Sequence, residues 1–461
     1  MEALLLPFAL ACLVWGLVYF RRTGLWGILI GGMIAGTVFG YNFLHVSVVS
    51  LDRAVLAISV GLYIVYRVWG YAQPKAWNAG DSMFAGFLGA MVLTTLIHPM
   101  SGGASLSKLL FFFLVPATAY WVARNLSLTS MTVRWMYIAF AFFGVYLSLT
   151  SVAEKTEMYW AVFPKYIADP NFTEFFGRGR GPLLNPSGNG VLLTVTLSCA
   201  LVLPVIERGW KRWMWVSTWP IYMLGIACTM TRCVWMGGAV AMLGILTALC
   251  PSRWRVPLLV FAVGIGSMGV IAKSQSLVGF KRDKNVSVED MKQSAQLRPL
   301  LAMIAWKMFQ EHPWTGVGTA GYLDNAKYYI QRDVDMPLEK ARPYVQHNIV
   351  LGLLVENGLL GTIPFCAMLG IWSWWGWKVW RTDSLVLETR LLGLVFLGMM
   401  AGFWANGMFQ DVLIITMINT YLFFWGGCIR NAASQLQPGL RWSMPAQNDV
   451  RARASGMATT A

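Results

Sequence analysis

A His-Asn pair, His347-Asn348, closes a long polar segment and opens the apolar run from Ile349 to Ile371. The chain holds only 4 His, so a histidine at this boundary is informative. Its ordinary pKa near 6.5 lets it accept a proton at neutral pH. Arginines share the same side of the chain. Arg178 and Arg180 sit in a Gly-rich stretch, Arg232 opens an apolar run after Thr231, and Arg298 begins an amphipathic segment. A guanidinium stays charged and grips phosphate with two parallel donors. Arginines close to hydrocarbon therefore suit an anionic lipid headgroup such as a phosphate or pyrophosphate, and a histidine beside them suits the deprotonation of an attacking hydroxyl. Plainer roles stand alongside. Arg178 and Arg180 would also simply solvate a loop, Arg232 would snorkel to lipid phosphate, Arg298 would brace a helix, and His347 would bond to backbone. His312, before Pro313, reads as structural, and His45 and His98 receive no role.

The elements that must position these residues are membrane helices. Hydrophobic residues make up 57% of the chain and charged residues 12%, half the charge of an ordinary soluble domain. Apolar runs occur at 3–20, 25–43, 54–70, 83–98, 109–123, 133–151, 189–206, 214–231, 233–249, 256–272, 348–373, 390–407 and 411–429. Most are long enough for ~30 Å of hydrocarbon. The expected fold is all-α: a polytopic membrane protein of about 12–14 transmembrane helices with a long, partly helical extracytoplasmic loop. The run at 3–20 lacks a basic leader and a cleavage site and reads as a retained helix.

Lys and Arg in alternate short loops set the orientation. Arg21, Arg22, Arg67, Lys75, Arg124, Arg134, Arg208, Lys211, Arg253, Lys378 and Arg381 fall on one side, read as cytoplasmic. The segments at 152–188 and 273–347 are then outer loops, and the N-terminus lies outside. Within the second loop, Leu300, Leu301, Ile304 and Met308 recur at helical spacing. That helix lies at the outer interface or packs on the loop's own core. The expected organisation is one membrane-embedded unit over 1–429 and a disordered cytoplasmic tail over 430–461.

The formal charge of +15 belongs to topology rather than to nucleic acid, since no soluble basic domain is present. The 7 Cys form no Cys-x-x-Cys pair and read as small buried hydrophobes. Asp333-Val334-Asp335 has the spacing of a metal–nucleotide-sugar motif, but such a short pattern recurs by chance and no metal site is assigned. P-loop, nucleophile-elbow and zincin motifs are absent.

Taken in order, several segments resemble the O-antigen ligase and polymerase family of bacterial envelope glycosyltransferases. They are Arg180-Gly181 through Asn185-Pro186, Thr231-Arg232, Arg298 with Trp306 and then His312-Pro313-Trp314-Thr315-Gly316-Val317-Gly318, and His347-Asn348 followed by Glu356, Gly358 and Gly361. The resemblance spans about 178–361. It implies an inverting, metal-independent glycosyl transfer without a cofactor, on the outer face of the bacterial cytoplasmic membrane. The donor would be a glycan on undecaprenyl pyrophosphate and the acceptor a lipid or glycan hydroxyl. By position, Arg232 and Arg298 would hold the pyrophosphate and His347 would be the base. Arg180 would make a further substrate contact, with Asn348 and Arg178 supporting. A polymerase would use the same donor chemistry. From another class, a polysaccharide or lipid transporter would instead need paired charges in mid-span and broken helices in repeated halves. A membrane scaffold would need no clustered Arg and His.

Overall fold

A computed structural model describes residues 22–40, 50–70, 74–99, 104–260, 288–332 and 345–436, with 16, 18, 19 and 72. Its elements are α-helices with short 3-10 and π turns. The bundle is built from α1 (Leu25–Phe39), α2 (Leu51–Val68), α3 (Ala79–Ile97) and α4 (Ser105–Asn125). Next come α5 (Ser130–Lys155), α6 (Pro186–Ile206), α7 (Trp210–Cys228) and α8 (Arg232–Leu249). Two helices, α9 (Val288–Glu311) and α10 (Tyr322–Arg332), belong to the long loop. The last three are α11 (Ile349–Arg381), α12 (Leu387–Gly407) and α13 (Thr416–Ala433).

Among the described residues, 7 helices are long and apolar enough to cross a membrane: α3, α4, α5, α6, α8, α11 and α12. The protein is an all-α, multi-pass membrane protein. Every expected span that falls within the described residues is a helix. The runs at 3–20 and 256–272 lie largely outside them, as do Asp333-Val334-Asp335 and most of the tail. One boundary needs correction. The tail was expected from residue 430, but α13 continues to Ala433, with Arg430, Asn431 and Ala432 buried. Arg430 is held there by its bond to Asp81, 3.1 Å away.

Helix α6 is the hub. Asn185 caps it by accepting from the Ser187 and Gly188 amides, and Pro186 occupies the first turn, where no amide is needed. Every residue from Pro186 to Pro204 is buried because α5, α7, α8 and α12 all pack around it. A helix apolar on all sides belongs in such a position.

Charged groups collect at one end of the bundle. Asp81 accepts from Arg124 at 2.6 Å, from Tyr120 at 2.6 Å and from Arg430 at 3.1 Å. Arg134 forks onto Glu207 at 2.8 and 2.7 Å. The side chains of Lys75, Arg124, Arg134 and Arg430 thus share the end assigned by charge to the cytoplasm. The paired charges here sit at helix ends rather than in mid-span.

The loop helix α9 has its own small core. Leu297, Leu301, Ile304, Ala305 and Met308 bury against Val317, Tyr322, Ala326 and Val355. Its other face leaves Met303 and Trp306 exposed. The packing alternative therefore holds for one face of this helix.

Candidate functional site

The helix α11 is broken in its first third, at Gly358, and the break explains two of the sequence motifs. Gly358 has non-helical backbone angles (φ 60°), which interrupts the ladder and strands carbonyls and amides on both sides. The 313–318 loop supplies the missing partners. Val317 N donates to Val355 O at 2.8 Å and Gly318 N to Glu356 O at 2.9 Å. In return Leu359 N donates to Pro313 O at 2.8 Å and Leu360 N to Trp314 O at 3.2 Å. This two-way exchange requires backbone-to-backbone approach. A Cβ on Gly358 would lie 2.2 Å from Trp314 O, and one on Gly316 would lie 2.3 Å from Val355 O. The Pro-Trp-Thr-Gly-Val-Gly and Glu-Asn-Gly segments are thus two halves of one joint.

That joint holds the His segment. Asn348 caps α11, its Oδ1 accepting from Val350 N at 2.9 Å and Leu351 N at 3.0 Å. Its Nδ2 donates to Met408 O at 3.1 Å. A side chain committed to a helix cap fixes the direction of the residue before it. His347 accordingly takes a left-handed backbone (φ 51°), a conformation kept only where surroundings enforce it. Its Nδ1 lies 3.2 Å from Gln410 Oε1. A carbonyl oxygen can only accept, so Nδ1 carries the proton and Nε2 has the free lone pair.

Arginines complete the group. Arg232 is the first residue of α8, after Thr231, and is exposed. Arg298 is half-buried on α9. Burial lowers the Arg298 pKa, and the like charge of Arg232 acts in the same direction. His347 is held below its ordinary 6.5, first by burial and then by the Arg298 charge, with Gln410 opposing. Arg298 is thus close enough to act on both Arg232 and His347, although the three are far apart in sequence. The result is an imidazole that burial and the Arg298 charge both keep in its neutral form.

Arg180 and Arg178 are placed otherwise. The expectation of a substrate contact at Arg180 is corrected: its side chain is 1% exposed and inward-facing. It lies 3.5 Å from Glu154 Oε1 and donates to the carbonyls of Glu174 and Ile167, both at 2.9 Å, and of Phe172. Glu154 Oε2 in turn accepts from Gly181 N at 2.8 Å. Arg180 therefore knits the first outer loop. Arg178 is also buried, beside the Phe175 ring at 5.2 Å. Gly179, between them, donates its amide to Cys228 O at 2.8 Å and so pins the turn from which Arg232 emerges.

Sequence reasoning missed the layer beneath His347. Lys108 pairs with Glu356 at 2.7 Å, both largely buried. Asp411 is half-buried and pushed up to about 7, mainly by burial, with Lys108 opposing. Gln346 Nε2 donates to Asp411 Oδ2 at 3.4 Å. Lys108 borders a π-helical turn over Leu109–Leu114, a distortion often found at functional sites. Glu356 stood out in the sequence as a carboxylate in an apolar run. Lys108, Gln410 and Asp411 gave no signal, since their partners lie in other segments. Among the described residues, no group of three or more His, Cys, Asp or Glu is placed to hold a metal ion.

Residues 217–366 match the family model for O-antigen ligase. The matched span takes in Arg232, Arg298, the 313–318 loop, His347 and the α11 break, and it leaves out Arg178 and Arg180. No curated protein matches the chain.

Proposed function

We propose that this chain, whose residues 217–366 match the family model for O-antigen ligase, transfers a glycan from undecaprenyl pyrophosphate to an acceptor hydroxyl at the outer face of the bacterial cytoplasmic membrane. The observation that carries this reading is His347, held 3.2 Å from Gln410 at the mouth of α11, with the Arg298 charge acting on it and the Arg232 charge acting on Arg298. Two guanidinium groups at a membrane boundary suit a diphosphate, and a neutral imidazole beside them suits a hydroxyl that must lose its proton. We assign residues 1–429 to one membrane-embedded unit, with the site on the side opposite the Asp81–Arg124–Arg430 cluster.

The geometry supports the following reaction. Gln410 accepts the Nδ1 proton of His347 and leaves Nε2 as the base. The acceptor oxygen attacks the anomeric carbon and its proton passes to Nε2. The bond from that carbon to the pyrophosphate oxygen breaks, and the electron pair leaves with the lipid diphosphate. A single displacement of this kind inverts the anomeric centre. Negative charge grows on the leaving oxygens, where Arg232 and Arg298 stabilise it. Fixed donors of this type are worth roughly 2.7–4 kcal/mol each, and general-base help supplies about 10²–10⁴-fold. Gln410 is a positioning residue: it sets the tautomer and touches no substrate.

The test is transfer by purified protein in proteoliposomes with a lipid-pyrophosphate-linked glycan. Arg232→Ala and His347→Ala are expected to insert normally and to lose most transfer. Wild-type rates in both would sink the assignment. Profiling glycans in a deletion strain separates the two acceptor classes. Retained lipid-linked polymer with uncapped acceptor means ligase, and single repeat units mean polymerase.

A further inference from the structure

At the opposite end of the bundle a cleft of about 510 Å³ opens between the start of α5, the α6–α7 turn and the start of α12. Its lining changes character with depth. Arg22, Arg134, Lys211, Glu207 and Glu388 line one part, and Ile138, Phe142, Met214 and Trp215 line another. On α5 the lining positions 131, 134, 135, 138 and 142 recur at helical spacing. The cleft therefore follows one stripe of the helix for roughly 16 Å, at 1.5 Å per residue. Charge sits at the helix end and apolar surface lies farther along the span.

The mouth carries three cations against two carboxylates. Arg134 is committed to Glu207 through both of its bonds. Arg22 is exposed, its guanidinium 5.8 Å from the centre of the Trp135 ring. Lys211 is exposed beside Trp210, which is itself 71% exposed, as aromatic residues at a membrane–water boundary commonly are. Orientation in the membrane accounts for the basic residues. It does not account for an apolar-floored cleft running up from between them.

We propose that this cleft binds an anionic phospholipid of the inner leaflet, with its phosphodiester between Arg22 and Lys211 and an acyl chain along Ile138, Phe142 and Met214. Basic pockets between helices on the cytoplasmic side are established headgroup sites in other membrane proteins. The excess of one positive charge selects an anionic headgroup over a zwitterionic one. This inference does not depend on the transfer chemistry at the other end.

Native mass spectrometry of the purified full chain tests it, with phosphatidylglycerol, phosphatidylethanolamine of matched chains, and inorganic phosphate as probes. Phosphatidylglycerol is expected to be retained in preference to phosphatidylethanolamine, and phosphate alone should not compete. The double variant Arg22→Glu with Lys211→Glu alters exposed side chains only and should weaken retention at least about 10-fold. Phe142→Ala should weaken it by a smaller factor. Lys378→Glu, an exposed charge at the same end but outside the cleft, should leave retention unchanged. Four results would overturn the proposal: retention by the double variant, equal binding of both lipids, competition by phosphate, or an equal loss in Lys378→Glu.

Discussion

The two ends of this bundle use arginine in opposite ways. At the end assigned by charge to the cytoplasm, Arg124 and Arg430 converge on one carboxylate, Asp81, and their other donors reach the Lys75 and Ala76 carbonyls and the Asn125 side-chain oxygen. Both cations share one carboxylate, all three residues are buried, and the cluster serves to lock α3, α4 and α13 together. At the other end, the Arg232 charge acts on Arg298 and the Arg298 charge acts on His347. The first pattern is a structural staple, and the second is the one proposed to receive negative charge. Arg180 shows that residue type alone does not decide between them. It lies on the outer side, yet Glu154 and the loop carbonyls make it a staple.

The largest effects are expected where the receptor pattern is broken. Replacing Arg232 or Arg298 by Ala should reduce transfer about 10²–10³-fold, by analogy with a lost oxyanion donor, with melting behaviour close to wild type. Arg180→Ala should do the reverse, lowering thermal stability first and transfer only in proportion to the folded fraction. A transfer defect in stably folded Arg180→Ala would erase the distinction.

Next in size is the buried pair under the His segment. Lys108→Met leaves Glu356 without its cation and should cost about 3 kcal/mol of stability. Adding Glu356→Gln should recover part of that loss. A denaturation double-mutant cycle reads the coupling, and strict additivity would show that the pair does not hold the joint. Gly358→Ala is expected to cost about 1–3 kcal/mol, because the left-handed break and the Trp314 carbonyl both exclude a Cβ.

The smallest effect is the most specific. His347 must be neutral to act as a base, so transfer should fall as pH drops through its pKa. Burial and Arg298 place that pKa below 6.5, and the rate should be level near pH 7. Arg298→Gln removes the repulsion and should move the acidic limb upward in the residual activity. Gln410→Glu should move it upward as well, by placing a carboxylate against the ring. Gln410→Leu should lower kcat more than it raises KM. If neither replacement at 410 moves the pH profile, Gln410 does not position the histidine.

The sequence made the helices legible because hydrocarbon leaves the backbone few choices. Arg232, Arg298 and His347 were legible as candidates, since each sits at the end of an apolar run or in the loop between such runs. The layer beneath was not legible. Lys108 reads as an ordinary interfacial lysine until Glu356 is found opposite it, and Gln410 and Asp411 read as a tight connector until α11 is set beside them. Arg180 was misread for a related reason. Its partners are mostly carbonyl oxygens, which every residue carries and no pattern announces.

The central claim is that Arg232 and Arg298 serve one lipid-borne diphosphate next to His347. Equilibrium binding of undecaprenyl pyrophosphate to the purified protein tests it most directly. The account predicts that Arg232→Ala and Arg298→Ala each weaken binding strongly, while His347→Ala and Arg124→Leu bind as wild type when folded. Undiminished binding by both outer arginine variants would contradict it.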